Sequence, residues 1–279
     1  MQLTKKDYSS KIKLYYNQKL DLELAEKIIN YLFYGEEDRG EEFTLIKNDR
    51  KGTEVFKFVF KGETYYLKKY FYRKPIKRVK NLFRKVEAIR HFKTANKLLD
   101  CDIPAIDPIL AVTFKRDLLT TDNIFVTKEC QGIDLCSYLK KYNYNYKDRK
   151  ILIKRIAKLW AKLLNNNFLH RDPTLENFLV NKNLRLNLVD IDHLYHLPVL
   201  FESLIIDALV RFNAESCIYF DRTNSRFLSR KERVLFLTEL VEGYEFKSDY
   251  KTLLNRINQG TIKKLIKWNR EDLVNHIEI

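Results

Sequence analysis

The residues best suited to chemistry in this chain are His170-Arg171-Asp172-Pro173-Thr174-Leu175-Glu176-Asn177 and, thirteen residues beyond that Asn, Asp190 in Leu188-Val189-Asp190-Ile191-Asp192. A carboxylate, an amide and a second carboxylate in this order can carry out phosphoryl transfer. Asp172 is placed to accept or orient the proton of an attacking hydroxyl. Asn177 and Asp190 offer hard oxygen donors for the magnesium ions that bridge nucleotide phosphates.

Such a site also needs a cation on the phosphates and an acid to aim it, and the upstream sequence offers both. Tyr65-Tyr66-Leu67-Lys68 reads as a buried strand ending in a lysine, and Glu87 follows nineteen residues later in a long stretch, 79 to 99, with helical periodicity. Lys68 is the candidate for the nucleotide phosphates and Glu87 for the ion pair that positions it.

The order Lys68, Glu87, Asp172, Asn177, Asp190 resembles the protein-kinase-like superfamily, and within it the bacterial lipopolysaccharide core kinases, which phosphorylate heptose or Kdo sugars. The resemblance spans roughly residues 42 to 220. Asp172-Pro173 resembles the D-P-x-x-x-N loop of heptose kinases. The lysine that protein Ser/Thr kinases carry two residues after the Asp is replaced by Thr174.

This resemblance implies a bilobal α+β fold with ATP and magnesium between the lobes. The N-lobe would be an antiparallel sheet plus one helix and the C-lobe mostly helical. The expected divisions are a helical extension over 1–41, the N-lobe over 42–130, and the C-lobe with a helical extension over 131–279. Where a kinase carries its glycine-rich phosphate loop, Asn48-Asp49-Arg50-Lys51-Gly52 has only Gly52, with Arg50 or Lys51 to supply charge. Glu129 and Gln131 fall at the hinge and are expected to meet adenine through main-chain atoms.

The segment after Asp190 bears on the acceptor. A regulated protein kinase has a long activation segment ending in A-P-E. Here only a short stretch separates Asp192 from Leu204-Ile205-Ile206-Asp207, and A-P-E is missing. Asp207 is expected to anchor the catalytic-loop backbone. Asp190-Ile191-Asp192 lacks the usual Gly, as in small-molecule kinases of the superfamily, and His193 and His196 are read as solvated or structural rather than as a metal pair. The favoured reaction is transfer of the ATP γ-phosphoryl group to a heptose or Kdo hydroxyl of the lipopolysaccharide inner core. The alternatives are a RIO-like protein kinase, another small-molecule kinase, and a pseudokinase binding module. The presence of Lys68, Asp172, Asn177 and Asp190 weighs against the last.

Composition suits a globular enzyme: 279 residues, 45% hydrophobic, with 7 Gly and 5 Pro leaving little room for linkers. Four Cys at 101, 130, 136 and 217 form no zinc spacing and read as reduced thiols. The N-terminus has no secretory core, and the most apolar run, 197 to 210, is too short for a membrane span, so a cytoplasmic location is expected.

The formal net charge of +15 attracts polyanions. A concentrated basic patch, Arg73, Lys74, Lys77, Arg78, Lys80, Arg84 and Lys85 among Phe71, Tyr72 and Phe83, suggests attachment to the anionic inner membrane surface, where a glycolipid acceptor resides. No nucleic-acid module is recognisable, so no nucleic-acid partner is expected.

Periodicity predicts a helix over 21–34 with Leu22, Leu24, Ile28, Ile29, Leu32 and Phe33 inward, and strands near 43–47, 55–60, 64–70 and 123–128. A short helix should open at Gly132-Ile133-Asp134-Leu135. A long one over 147–167 should deliver the catalytic loop, burying Ile151, Ile156, Leu159, Trp160 and Leu163. Ser229-Arg230-Lys231-Glu232 has the pattern of a helix start.

Overall fold

The computed structural model describes residues 3–17, 21–34, 43–49, 52–71, 86–117, 120–142 and 145–277. The chain forms two compact units, one of Met1–Asp100 with Ala105–Cys130, the other of Cys101–Pro104 with Gln131–Ile279. No described helix is long and apolar enough to cross a membrane.

The first unit is built on a seven-stranded antiparallel sheet of β1 (Thr4–Asp7), β2 (Ile12–Tyr16), β3 (Phe43–Asp49), β4 (Thr53–Phe60), β5 (Glu63–Tyr70), β6 (Pro108–Lys115) and β7 (Thr121–Lys128), in the order β1-β2-β6-β7-β5-β4-β3. One face carries α1 (Leu22–Ile29), which runs on into a π-helical turn, Asn30–Tyr34. Asp21 caps α1 by accepting from the Leu24 N–H. Alternation in the strands sends Phe56, Phe58, Phe60, Tyr65 and Leu67 into one cluster with Leu24, Ile28, Ile29 and Leu32. Leu22, expected inside, is exposed.

Residues 1–41 are more than the expected helical extension, because β1 and β2 extend the sheet through β6. The hairpin escapes sequence reading because β1 is exposed throughout; Ile12 and Leu14, both fully buried, are its only alternation.

The other face carries α2 (Glu87–Asp100). Its first turn is fixed by Asn123 of β7, which is fully buried and accepts from the Ala88 N–H at 2.7 Å. The Tyr70 hydroxyl of β5 meets His91 Nδ1 of α2 at 2.8 Å.

In the second unit the helices are α3 (Leu135–Lys141), α4 (Tyr146–Asn165), α5 (Glu202–Arg222), α6 (Arg230–Gly243) and α7 (Tyr250–Lys267). Short strands lie between them: β8 (Ile133–Asp134), β9 (Phe168–His170), β10 (Phe178–Val180), β11 (Leu186–Leu188) and β12 (Leu194–His196). They form two small antiparallel sheets, β11-β10-β8 and β12-β9. Asp134 and Asn145 cap α3 and α4. Ile156, Leu159, Trp160 and Leu163 are buried as expected of α4, with Trp160 packed on Phe212 of α5. Ile151 is exposed instead, because the buried face of the first turns passes through Arg149, Leu152 and Ile153.

Arg149 explains how a charged residue can occupy that face. Its Nε donates to Glu232 Oε1 at 2.8 Å, and both side chains are almost fully buried. Glu232 also closes the capping box with Ser229 that starts α6 and accepts from Arg226, so the one buried carboxylate is shared by two guanidinium groups. Burial alone would raise the Glu232 carboxyl, but hydrogen bonds from Arg149 and Ser229 outweigh it and hold its pKa down at about 2.

Glu232→Ala, which leaves the Arg149 charge buried without its counter-ion, should cost about 3–5 kcal/mol in urea unfolding at pH 7. A depressed carboxyl contributes stability above its unfolded-state pKa. The wild-type advantage should therefore be complete above pH 4.5 and vanish as pH falls towards 2. Equal stability of the two proteins at pH 7 would contradict the account.

Candidate active site

The loop of the second unit that carries Asp172 and Asn177 is fixed by backbone first. β9 ends at His170 and pairs with β12, Leu194 opposite His170, and the Arg171 N–H donates to the His193 carbonyl. The His170 imidazole is buried between the two acidic positions. Its Nδ1 accepts from the Asp172 N–H at 3.3 Å, and its Nε2 lies 3.2 Å from the Asp190 carbonyl. Donation by the backbone to Nδ1 requires the proton to sit on Nε2. Burial depresses the His170 pKa to about 4, the opposing pull of the Asp190 carbonyl being smaller, so the ring is neutral at physiological pH.

Asn177 closes the other side. Its Nδ2 donates to the Asp172 carbonyl at 3.0 Å, and its own carbonyl accepts from the Val189 N–H. With the amide nitrogen engaged in the loop, Oδ1 remains as its ligand atom. Asp190 Oδ1 accepts from the Asp192 N–H at 3.1 Å, a turn that orients the carboxylate. Asp172, Asn177 and Asp190 are thus brought into one hydrogen-bonded unit around His170.

No group of three His, Cys, Asp or Glu among the described residues could hold a metal by itself. One carboxylate and one amide are the kind of oxygen set with which magnesium retains waters and binds substrate phosphates. The site therefore fits that ion. His193, which is exposed, has Nε2 3.9 Å from Asp172 Oδ2.

A second contact to Asp172 was not foreseen. Arg211 of α5 places NH2 2.6 Å from Asp172 Oδ1, and also 3.7 Å from Glu215 Oε1. Asp207, expected to hold the loop from this helix, is exposed and makes no hydrogen bond to the loop among the described residues. The helix reaches the loop one turn later and through a cation. Thr174 stands where protein Ser/Thr kinases carry a lysine, so that particular loop cation is missing beside Asp172.

In the first unit, strand alternation separates the two candidate lysines. Lys68 shares its side of β5 with Tyr70, which bonds α2, the helix that begins at Glu87. Lys69 lies on the opposite side and donates to the Leu32 carbonyl at 3.0 Å. Burial lowers its pKa. Glu87 is in the first turn of α2, 3.8 Å from Arg90.

Gly52 is required by its own turn. Its N–H donates to the Asp49 carbonyl and its carbonyl accepts from the Phe71 N–H. At φ +121° a Cβ would lie 2.3 Å from the Phe71 oxygen, so only glycine fits. Glu129 also departs from expectation in part, since its N–H donates to the Thr64 carbonyl at 2.9 Å and leaves the carbonyl as the main-chain group for a base. Its side chain pairs with Lys57 at 2.9 Å. Gln131 is exposed. Arg50, Lys51 and the basic patch from Arg73 to Lys85 lie outside the described residues, and all four cysteines are free thiols.

A mixed sheet-and-helix unit followed by a helical unit that presents this loop is the architecture of a protein-kinase-like phosphotransferase. Residues 35–196 match the model of the lipopolysaccharide kinase (Kdo/WaaP) family. The chain belongs to that family, and it is a kinase of lipopolysaccharide core sugar. The fold is also similar to that of a solved structure, WaaP in complex with acyl carrier protein, at 13% identity and a TM-score of 0.62, over 95% of this chain and 99% of that one. No curated protein sequence matches the chain.

Proposed function

We propose that this kinase uses ATP and magnesium to phosphorylate a heptose or Kdo hydroxyl of the lipopolysaccharide inner core, acting at the inner face of the cytoplasmic membrane. The observation that carries the site assignment is the hydrogen-bonded unit in which His170 joins the Asp172 and Asp190 backbones and Asn177 donates to the Asp172 carbonyl.

In this reading Asp172 takes the proton of the acceptor hydroxyl as the sugar oxygen bonds to the γ-phosphorus and the bond from that phosphorus to the β,γ-bridging oxygen breaks, releasing ADP. Arg211 orients the Asp172 carboxylate through their 2.6 Å contact. Asn177 and Asp190 would hold magnesium, which supplies charge neutralisation on the phosphates. Lys68, aimed by Glu87, binds the phosphates, while the Glu129 carbonyl and the Gln131 backbone meet the base.

Two measurements test this reading. After incubation with ATP and delipidated core oligosaccharide, NMR and mass analysis should find a new phosphomonoester on a heptose or Kdo hydroxyl. Phosphoserine or phosphothreonine on protein, with unmodified sugar, would favour a protein kinase. For the first unit, Lys68→Ala and Glu87→Ala should each lower kcat/KM, and the double variant should cost far less than the sum, because Glu87 acts through Lys68. Additive losses would assign the phosphate contact to another pair.

A further inference from the structure

The second unit has an open cleft of about 620 Å³ walled by α5 and the C-terminal half of α7. Five cations line it, Arg211, Arg256, Lys263, Lys264 and Lys267, with Asp207 the one carboxylate among them. Arg256 is already paired with Glu202 at 3.0 Å, whereas Lys263, Lys264 and Lys267 make no ion pair among the described residues. Lys263 and Lys267 stand one helical turn apart, an unfavourable like-charge spacing that a bound anion would relieve.

Gly260, also in the lining, lets α7 approach α5 closely, since a Cβ there would fall 2.6 Å from Val210 Cγ2. Trp268 adds an aromatic surface at its rim, with the Lys264 ammonium 5.5 Å from the ring centroid. Arg211 belongs to both places, since it lines the cleft and touches Asp172. The charged wall thus begins at the arginine in contact with Asp172, the residue proposed to take the acceptor proton.

We infer that this cleft binds the acidic groups, carboxylate or phosphate, carried by the sugars next to the hydroxyl that is phosphorylated. The inference rests on the sugar-kinase reading above. A concave wall of unpaired lysines with an indole suits an acidic oligosaccharide, whose charges need cations and whose ring C–H faces need an apolar surface. A flat lipid surface would need neither the concavity nor continuity with Asp172.

The test uses the full chain and delipidated core oligosaccharide, intact or stripped of its phosphates. Calorimetry without nucleotide should show binding by the wild type that weakens as salt is raised. Lys263→Ala/Lys267→Ala should weaken it about tenfold, and Lys263→Arg/Lys267→Arg should restore most of it. In turnover the alanine variant should raise the KM for oligosaccharide by a similar factor relative to the KM for ATP.

If loss of the phosphates removes the lysine effect, the ligand is phosphate; if the effect persists, it is carboxylate. Oligosaccharide binding unchanged in the alanine variant would overturn the inference. Equal rises in both KM values would also overturn it, as would loss of binding only to phosphatidylglycerol vesicles or to acyl carrier protein. Wild-type binding without phosphoryl transfer would instead sink the sugar-kinase reading while leaving the cleft standing.

Discussion

The geometry of the candidate loop in the second unit depends on one buried, neutral imidazole. His170 has two ring nitrogens and two backbone partners, the N–H of Asp172 and the carbonyl of Asp190. A buried ring that both accepts and donates must carry one proton, and burial ensures this by depressing its pKa to about 4. An imidazolium could not accept from the Asp172 N–H, and the loop would lose the bond that sets its register against Asp190. Asp172 and Asp190 are thereby positioned through main chain, before any contact made by their carboxylates.

The first unit solves its positioning problem with strand period instead. Tyr70 and Leu32 mark the two sides of β5, one towards α2 and one towards α1, and Lys68 and Lys69 are sorted accordingly. Asn123, fully buried in β7, fixes the first turn of α2 and hence the backbone of Glu87. A sheet residue that caps a helix carries the register of the sheet into the placement of that helix. Arg211 has an analogous role in the second unit, where a long helix brings a cation to the Asp172 carboxylate from outside its loop.

Local spacing made the candidate constellation legible because Asp172, Asn177 and Asp190 lie within nineteen positions of one another, and sequence-near hydrogen bonds hold them. The alternating phenylalanines of β4 and the Ser229 capping box were legible for the same reason. What sequence did not disclose depends on distant partners. Arg149 looks like a solvent-facing helix residue until Glu232, 83 positions away, neutralises it. Ile151 then yields its expected place in the core. Asp207 has the residue type and position expected of a loop anchor, yet the turn of α5 that contacts the loop is the one carrying Arg211. Gly52 was read as a remnant of a phosphate loop, although a close approach to the Phe71 carbonyl is enough to require it.

Nitrogen-15 NMR of the His170 ring across a pH titration tests the central constraint most directly. The account predicts a proton on Nε2 and an unprotonated Nδ1, with no titration between about pH 5.5 and 8, because the folded pKa lies near 4. Since that pKa is below the unfolded value of 6.5, the neutral ring stabilises the fold fully above pH 6.5, and this contribution is lost as pH falls to about 4. A His170 ring that titrates near 6.5, or that carries its proton on Nδ1, would contradict the claim that it holds the Asp172 and Asp190 backbones together.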